Sequence, residues 1–218
     1  MTRFTCADCG AAFTVKQATL DKYPGWTPRQ CMACRNRSAP AGGGGRRGSG
    51  GRGRSGPVEE NLTLAAVLEK YTAGPTDGVF TDGSAHPNPG RGGWGAVYVR
   101  DGEVVQQRHG STEHTTNNRM ELTALVAAYD MVPDGTPATV YTDSKLCVDT
   151  ITKWAPSWER NGWKRKAGPV QNLDLVQELY AKHKARPELT LEWIAAHSGN
   201  RWNEYADSLS TAHLRDEL

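Results

Sequence analysis

Residues 78–110 decide the fold, with GVFTDGSA at 78–85 and GGWGAVYVRDGEVVQQRHG at 92–110. Both stretches contain Val and aromatic residues in alternation with polar ones, which is typical of β-strands. Asp101 and Gly102 interrupt the second stretch and predict a tight hairpin turn, because both residues tolerate the backbone that such turns need. These residues therefore predict three consecutive strands of one sheet.

The segments that follow alternate between helical and strand patterns. Apolar residues recur at helical spacing over residues 115–132, which predicts a long helix closed by Pro133. Further strands are predicted at 138–143 and 189–196, and further helices at 62–71 (capped by Asn61), 144–154, 169–185 and 200–218. The order β-β-β-α-β-α-α-β-α indicates an α/β fold in which helices pack on a mixed sheet.

Charge is distributed unevenly along the 218 residues, although the net charge is only +2. Residues 1–56 hold 10 Lys and Arg against 2 Asp and Glu, whereas residues 57–218 hold 16 against 22. A basic segment joined to an acidic one indicates contact with a polyanion at one end. No apolar run reaches the ~18 residues of a membrane span, and the first residues lack an apolar leader. We therefore expect a cytoplasmic, soluble chain.

Four cysteines near the start form two C-x₂-C pairs, Cys6 with Cys9 and Cys31 with Cys34. In a reducing compartment this spacing is typical of a closed, structural Zn²⁺ site, and disulfides are the alternative. A module of residues 1–37 is too small for a sufficient core, so the metal would provide much of its folding free energy. We expect a small zinc-ribbon-like module with a strand at 9–15.

Residues 38–57, SAPAGGGGRRGSGGRGRSGP, separate this module from the rest of the chain. Almost all are Gly, Ser, Pro, Ala and Arg, so the segment has little to bury and is expected to be a flexible linker. Its arginines also suit a basic tether that contacts phosphates, and a plain solubilising linker is the alternative. The predicted domains are therefore residues 1–37, 38–57 and 58–218.

Four carboxylates occupy positions where such a fold places chemistry. Asp82 lies in the first long strand, Glu121 near the start of the long helix, and Asp143 at the end of the fourth strand. Asp207 lies on the last helix, ten residues after His197. Taken singly, each acid could be a helix cap or a solvated residue. Taken together, hard oxygen ligands of this kind indicate Mg²⁺, with Mn²⁺ as the alternative.

FTDGSAHPNPGRGGWG, TTNNRMEL, YTDSK and HSGNRWNEYAD stand in one order over roughly residues 77–215, and this pattern resembles the type 1 ribonuclease H family. The resemblance implies a mixed five-stranded sheet flanked by helices, here preceded by the zinc-ribbon-like module. It also implies an endoribonuclease that hydrolyses the RNA strand of RNA–DNA hybrids and leaves 3′-hydroxyl and 5′-phosphate ends. Matched motif by motif, the metal-binding acids are Asp82, Glu121, Asp143 and Asp207, and His197 is the mobile histidine of the active-site loop.

Four carboxylates and a histidine are residue types that suit phosphodiester hydrolysis. The reaction needs an aligned water, relief of charge at the phosphate and help for the departing 3′ oxygen, and two metal ions ~3.5–4 Å apart supply all three. Four carboxylates can hold both ions while cancelling most of their charge. His197, whose unperturbed pKa is about 6.5, is expected to shuttle a proton or assist product release.

Substrate contacts are also carried over by resemblance. Asn117 and Glu121 are expected to face RNA 2′-hydroxyls with Asn88 nearby, and Thr116 to form a DNA phosphate pocket with Asn88. The alternative for Thr116 and Asn117 is an ordinary helix N-cap, and both interpretations can hold together. Lys145 stands where the family often has Gln. We expect this cation to alter the grip on the hybrid without abolishing activity.

The segment KWAPSWERNGWKRKAGP at 153–169 alternates tryptophans with basic residues and resembles the family's basic protrusion, which grips DNA. A satellite packing cluster is the alternative for its three indoles. The substrate-binding residues predicted in this segment are Trp154, Trp158, Trp163, Lys164 and Lys166.

Several functions remain open at the level of sequence. The favoured one is a monomeric nuclease that binds RNA–DNA hybrid and has no membrane partner. The module of residues 1–37 is expected to aid nucleic-acid binding, with docking of a protein partner as the alternative. A non-catalytic hybrid-binding protein and a junction resolvase of the same fold are the two alternatives for the chain as a whole.

Overall fold

A computed structural model describes residues 2–15, 17–22, 27–29, 31, 34, 61–165 and 167–215. The chain divides into two compact units, residues 1–56 and residues 57–218. The predicted linker at 38–57 and Lys166 lie outside the described residues. Among the described helices, none combines the length and apolar character needed to cross a membrane.

The first unit contains a small hairpin. β1 (Thr2–Thr5) pairs antiparallel with β2 (Ala12–Val15), and α1 (Gln17–Lys22) follows. The Phe4 and Phe13 rings face each other across the hairpin with their centroids 6.0 Å apart. The strand expected at 9–15 corresponds to β2, whereas β1 carries too short a pattern to be recognised in the sequence.

The second unit is built on the predicted five-stranded mixed sheet, which the structure confirms. Its strands lie in the order β5-β4-β3-β6-β7, with β3, β4 and β5 antiparallel and β6 and β7 parallel to β3. The tight turn between β4 and β5 has φ of 52° at Asp101 and 76° at Gly102, as the hairpin prediction requires. The strand bounds are β3 (Gly78–Ala85), β4 (Gly90–Arg100), β5 (Glu103–Thr115), β6 (Ala138–Thr142) and β7 (Leu189–Trp193).

Helices cover both faces of this sheet. They are α2 (Leu64–Lys70), α3 (Asn117–Tyr129), α4 (Lys145–Asp149), α5 (Ala155–Arg160), α6 (Leu173–Ala185) and α7 (Arg201–Ser210), with a π-helical turn at Thr150–Trp154 and a 3₁₀ turn at Ala212–Leu214. Alternate residues of β3 point to opposite faces, so that Val79 joins one apolar cluster with α3 and α6. Phe80 joins the other cluster, with α2 and α7.

Several helix ends differ from the sequence predictions. Thr63 caps α2 instead of Asn61, since its Oγ1 accepts the backbone N–H of Ala66 at 3.3 Å. The helix predicted from 169 begins at Leu173, because the left-handed backbone of Asn172 (φ 51°) cannot continue a right-handed helix.

Two further predicted helices are divided. The helix expected at 144–154 changes to a π turn after Asp149, where the Thr152 hydroxyl donates to the carbonyl of Val148. The last helix stops at Ser210, where the hydroxyls of Ser210 and Thr211 both donate to the Asp207 carbonyl and compete with backbone hydrogen bonds.

Two glycines allow helices to rest directly on the sheet. A Cβ added to Gly83 in β3 would lie 2.7 Å from Glu121 Cα in α3. A Cβ added to Gly95 in β4 would lie 2.5 Å from the carbonyl oxygen of Ala206 in α7. Both distances are shorter than side-chain packing permits, so glycine is required there. The same two helices carry Glu121 and Asp207, and these contacts set how close the two acids approach the sheet.

Candidate active site and candidate zinc centre

Three of the predicted acids meet at one end of the sheet. Asp82 lies in β3, Glu121 in α3 and Asp143 directly after β6, and each offers a carboxylate oxygen within 4.8 Å of the other two. Asp82 and Asp143 come together because β3 and β6 are parallel neighbours in which Thr81 pairs with Thr142. Glu121 joins them through the close packing of α3 on Gly83.

The cluster concentrates negative charge in a buried place. Burial, and then the charges of Asp207 and Asp143, raise the pKa of Asp82 to about 8. Burial also raises the pKa of Glu121 well above its usual value, with the charges of Asp82 and Asp143 adding to it. The pKa of Asp143 is raised as well, again mainly by burial. Carboxylates in this situation favour proton uptake or a compensating cation.

The residues fit a divalent metal ion. Oδ2 of Asp82 is buried and has no hydrogen-bond partner among the described residues, which leaves a buried acceptor unsatisfied. Oxygen-only donors at this separation match the preference of hard cations such as Mg²⁺ and Mn²⁺. A cation here would satisfy that oxygen and offset the mutual repulsion of the acids.

Asp207 and His197 lie beside this group of three acids. Asp207 on α7 is outside the set whose oxygens all lie within 4.8 Å, yet its charge is one cause of the raised pKa of Asp82. His197 lies in the loop before α7 with a left-handed backbone (φ 46°) and a side chain that is 58% exposed. Its Nδ1 is 4.0 Å from Oε2 of Glu204, and its charge acts on the pKa of Asp143.

Two residues that contact Asp143 are missed by the sequence analysis. A hydrogen bond from Asn203 acts to lower the pKa of Asp143, and Nε1 of Trp193 donates to the Asp143 carbonyl at 3.0 Å. Asn203 stands four residues before Asp207, a helical spacing that could have been used to find it. Trp193 is half exposed at the end of β7, and Lys145 Nζ lies 5.8 Å from its ring centroid. No sequence pattern links Trp193 to Asp143 or Lys145.

The three predicted polar substrate residues are brought together near the end of β3. Thr116 is the N-cap of α3, and its Oγ1 accepts the backbone N–H of Arg119 at 3.3 Å. Asn117 Oδ1 accepts the backbone N–H of Ala85 at 2.7 Å, and the Asn117 N–H donates to Asn88 Oδ1 at 3.3 Å. The capping interpretation therefore holds for Thr116, and the side chains of Asn88 and Asn117 fix the start of α3 against the sheet.

The tryptophans of residues 153–169 differ in their surroundings. Trp154 is 40% exposed, and its ring centroid lies 6.0 Å from that of Trp158. Trp158 and Trp163 are half-buried against the core, with Trp163 edge-on to Tyr180 at 6.0 Å. The packing alternative thus accounts for two of the three indoles. Lys164 is exposed in the turn that follows α5.

The first unit gathers its four cysteines. The Sγ atoms of Cys6, Cys9, Cys31 and Cys34 all lie within 4.8 Å of one another, and no disulfide joins any described cysteine. Cys9 Sγ and Cys31 Sγ are 3.7 Å apart, close to the ~3.8 Å edge of a tetrahedron with Zn–S bonds of about 2.3 Å. Hydrogen bonding, first from the backbone of Cys31, lowers the pKa of Cys6 to about 6, which favours the thiolate that binds metal. The cluster fits a small zinc-binding module.

Comparison with protein families gives one match to the second unit. The family model described as RNase H matches residues 76–215, which is more than half of the chain. The match begins two residues before β3 and ends after the 3₁₀ turn. It therefore covers the whole sheet and all four acids, and it leaves α2 and the first unit outside.

Individual relatives agree with this match. A ribonuclease H of Agrobacterium fabrum is 44% identical over 133 residues, which cover 61% of this chain and 90% of that protein. One of Methylorubrum extorquens is 40% identical over 140 residues, covering 64% of this chain but only 60% of its own length. The crystal structure of LC9-RNase H1, described as a type 1 RNase H with the type 2 active-site motif, is 32% identical with a TM-score of 0.53. It covers 65% of this chain and 74% of that one.

The fold, the acidic cluster and these matches together define an enzyme, a nuclease within the hydrolases. The chain belongs to the ribonuclease H family. Membership implies use of a divalent metal ion, in agreement with the three clustered acids.

Proposed function

We propose that this enzyme hydrolyses the RNA strand of RNA–DNA hybrids internally, leaving 3′-hydroxyl and 5′-phosphate ends. The observation that carries the proposal is the buried cluster of Asp82, Glu121 and Asp143, whose oxygens lie within 4.8 Å of one another and include one acceptor with no partner in the described part of the chain. A protein that only binds hybrids has no need to hold three repelling carboxylates in a buried site.

We assign the chemistry as follows. Two Mg²⁺ ions, or Mn²⁺ in their place, would supply an activated water and would stabilise the departing 3′ oxygen. Asp82, Glu121 and Asp143 would hold these ions close to the scissile phosphate, and Asp207 would extend the site from α7. His197 lies on an exposed loop next to the acids, where it can carry a proton between the site and solvent.

Hybrid recognition is assigned to the surface around the acids. Asn117 begins α3 four residues before Glu121, and Asn88, between β3 and β4, accepts its backbone N–H. Both are suited to contact RNA 2′-hydroxyls and, with Thr116, a DNA phosphate. Lys145 stands beside the exposed Trp193 and provides a cation for the backbone. Exposed Trp154 and Lys164 are assigned to grip the DNA strand, with Trp158 and Trp163 supporting them by packing on the core. Lys166, outside the described residues, is assigned to the same role from sequence.

A direct cleavage assay tests this function. The full-length protein is incubated with Mg²⁺ and a 20-base-pair hybrid labelled on either strand, beside the same sequence as duplex DNA and a four-way junction. We expect cuts in the RNA strand alone, with 5′-phosphate on the downstream product. Cleavage of the junction would favour a resolvase instead. Tight hybrid binding without any cut would favour the non-catalytic alternative.

The first unit is proposed to be a zinc ribbon that strengthens nucleic-acid binding. Its 10 Lys and Arg against 2 Asp and Glu support contact with phosphates. We expect deletion of residues 1–56 to weaken hybrid binding about tenfold at moderate salt, with a shallower salt dependence and an unchanged single-turnover rate. Filter binding at several salt concentrations and rapid-quench cleavage measure the two quantities. Unchanged affinity at every salt concentration would instead favour docking of a protein partner.

A further inference from the structure

Residues 61–74, which we call the leading segment, precede the region matched by the family model. They contain α2, whose Val67 is 1% exposed and shares an apolar cluster with Trp202 and Leu209 of α7. Since α7 carries Asp207 and follows the His197 loop, the leading segment packs on the one helix that completes the active site. Its hydrogen bonds reach both ends of that helix.

The C-terminal end of the leading segment holds the start of α7. Ala73 forms a parallel bridge with Asn200, and the carbonyl of Ala73 accepts the backbone N–H of Arg201 at 2.8 Å. Asn200 is the N-cap of α7, with its Oδ1 accepting the N–H of Asn203 at 3.3 Å. A Cβ on Gly74, which has φ of 112°, would lie 2.6 Å from Cγ of Asn200. The cap of α7 is therefore packed against bare backbone.

The N-terminal end of the same segment holds the other end of α7. Ser208 Oγ donates to the carbonyl of Leu62 at 2.7 Å, and the guanidinium of Arg215 donates to that carbonyl at 2.6 Å. Arg215 also donates to Ser208 Oγ at 3.0 Å. Ser208 directly follows Asp207. The hydrogen bond at Ser208 is thus one residue from Asp207 in sequence. The contact at Asn200 is likewise only three residues from His197.

We propose that the leading segment is a positioning element of the active site, which sets where α7 lies along the sheet. The side chains of the sheet hold α7 by two hydrogen bonds at its middle and its C-terminal end, Tyr205 with Gln107 at 2.6 Å and Ser84 with Ser210 at 3.2 Å. β4 faces the helix at Gly95 with bare backbone, which leaves the start of the helix freer to move along the sheet. Hydrogen bonds at both ends to one segment prevent that movement. The distance of Asp207 and His197 from Asp82, Glu121 and Asp143 then depends on residues outside the matched family region.

Gly74→Ala in the full-length protein tests the first attachment, with Gly135→Ala as its matched control. Both glycines have positive φ, but a Cβ on Gly135 meets no atom of the described residues within 4 Å. Both variants therefore carry backbone strain, and only Gly74→Ala displaces Asn200. In the metal-free protein, we expect amide hydrogen exchange at Arg201 to speed up at least about tenfold in Gly74→Ala and to stay unchanged in the control. Under the proposed function, kcat falls about tenfold to 100-fold with KM within about twofold.

Ser208→Ala tests the second attachment and serves if Gly74→Ala does not fold. We expect faster amide exchange at Leu209 and Thr211, and a smaller loss of kcat, about threefold. Amide exchange and kcat equal to those of the Gly135→Ala control would overturn the positioning role. If the wild-type protein does not cleave the hybrid, the proposed function fails, while the exchange measurements still decide whether the segment holds α7.

Discussion

The Asp82→Asn variant is expected to lose hybrid cleavage by at least about 10³-fold, as measured by single-turnover rates with saturating Mg²⁺. Asp82 contributes the most buried oxygens of the acidic cluster, and one of them has no protein partner among the described residues. An amide keeps the shape but removes the charge that holds a cation at the scissile phosphate. Hybrid affinity is expected to remain, because the contacts assigned to Asn88 and Asn117 are untouched.

The same substitution is expected to stabilise the protein when metal is absent. Burial raises the pKa of Asp82 from 3.8 to about 8, so that the folded state holds a proton that the unfolded state has released. Stability of the metal-free wild type is therefore full below about pH 4 and falls as pH rises toward 8. At about 1.4 kcal/mol per pH unit, the loss of unfolding free energy at pH 7 is at most about 4 kcal/mol. The Asp82→Asn variant has no carboxylate to ionise and does not lose this free energy.

Urea unfolding of the metal-free proteins at pH 4 and pH 7 measures this effect. We expect the free energy of unfolding of Asp82→Asn to exceed that of the wild type at pH 7 and to match it at pH 4. Asp134→Asn is the control, since its side chain is fully exposed and should change neither rate nor stability. Equal stability of wild type and Asp82→Asn at both pH values would show that the Asp82 carboxylate is not destabilising.

Cys34→Ser is expected to abolish zinc binding and to unfold the first unit. The four Sγ atoms lie within 4.8 Å of one another, and removing one leaves an incomplete tetrahedral site. Structural zinc contributes about 10–16 kcal/mol in small peptides, and a unit of this size has little else to hold it together. Zinc content per chain should fall from one to zero, and the amide NMR signals of residues 2–15 should lose their dispersion.

Cys147→Ser is the matched control for this experiment. Cys147 is buried in α4, with Sγ donating to Asn118 Oδ1 at 3.5 Å, and lies outside the group of four. We expect one zinc per chain to remain in this variant and the hybrid-cleavage rate to be kept in both variants. Retention of zinc by Cys34→Ser would contradict the four-cysteine site, and metal loss from both variants would point to non-specific thiol binding.

The sheet could be predicted from sequence because its signals are local. Alternation in 78–85 and 92–110 and the turn at Asp101 and Gly102 each depend on neighbouring residues alone. Helix ends were harder to predict from sequence. The left-handed backbone of Asn172 arises from tertiary packing, and the π turn after Asp149 accompanies a hydroxyl hydrogen bond that competes with the backbone. Local propensity carries no information about either cause.

The acidic site could likewise be predicted only in part from the sequence. Asp82 and Asp143 were expected in one site from the motifs that resemble the family, and the parallel register of β3 and β6 explains why they meet. Two other features of the site depend on how β7 and α7 pack. The Asp143 carbonyl accepts a hydrogen bond from Trp193 of β7, and Asp207 of α7 lies farther from the other three acids than they lie from one another. The contribution of the leading segment was also hidden, because its hydrogen bonds with α7 use the backbone carbonyls of Leu62 and Ala73, which are more than 100 residues away from that helix in the chain.

The bare contact between Gly83 and α3 has a consequence for mutational tolerance. In a selection for hybrid cleavage, Asp82 and Gly83 would be equally intolerant, one for charge and the other for space. In a selection for folding alone, the two positions differ in tolerance. Position 82 accepts neutral residues, whereas any side chain at position 83 must push Glu121 and its helix off the sheet. Adjacent positions with the same evolutionary constraint in the working enzyme would thus follow different rules once catalysis is no longer selected.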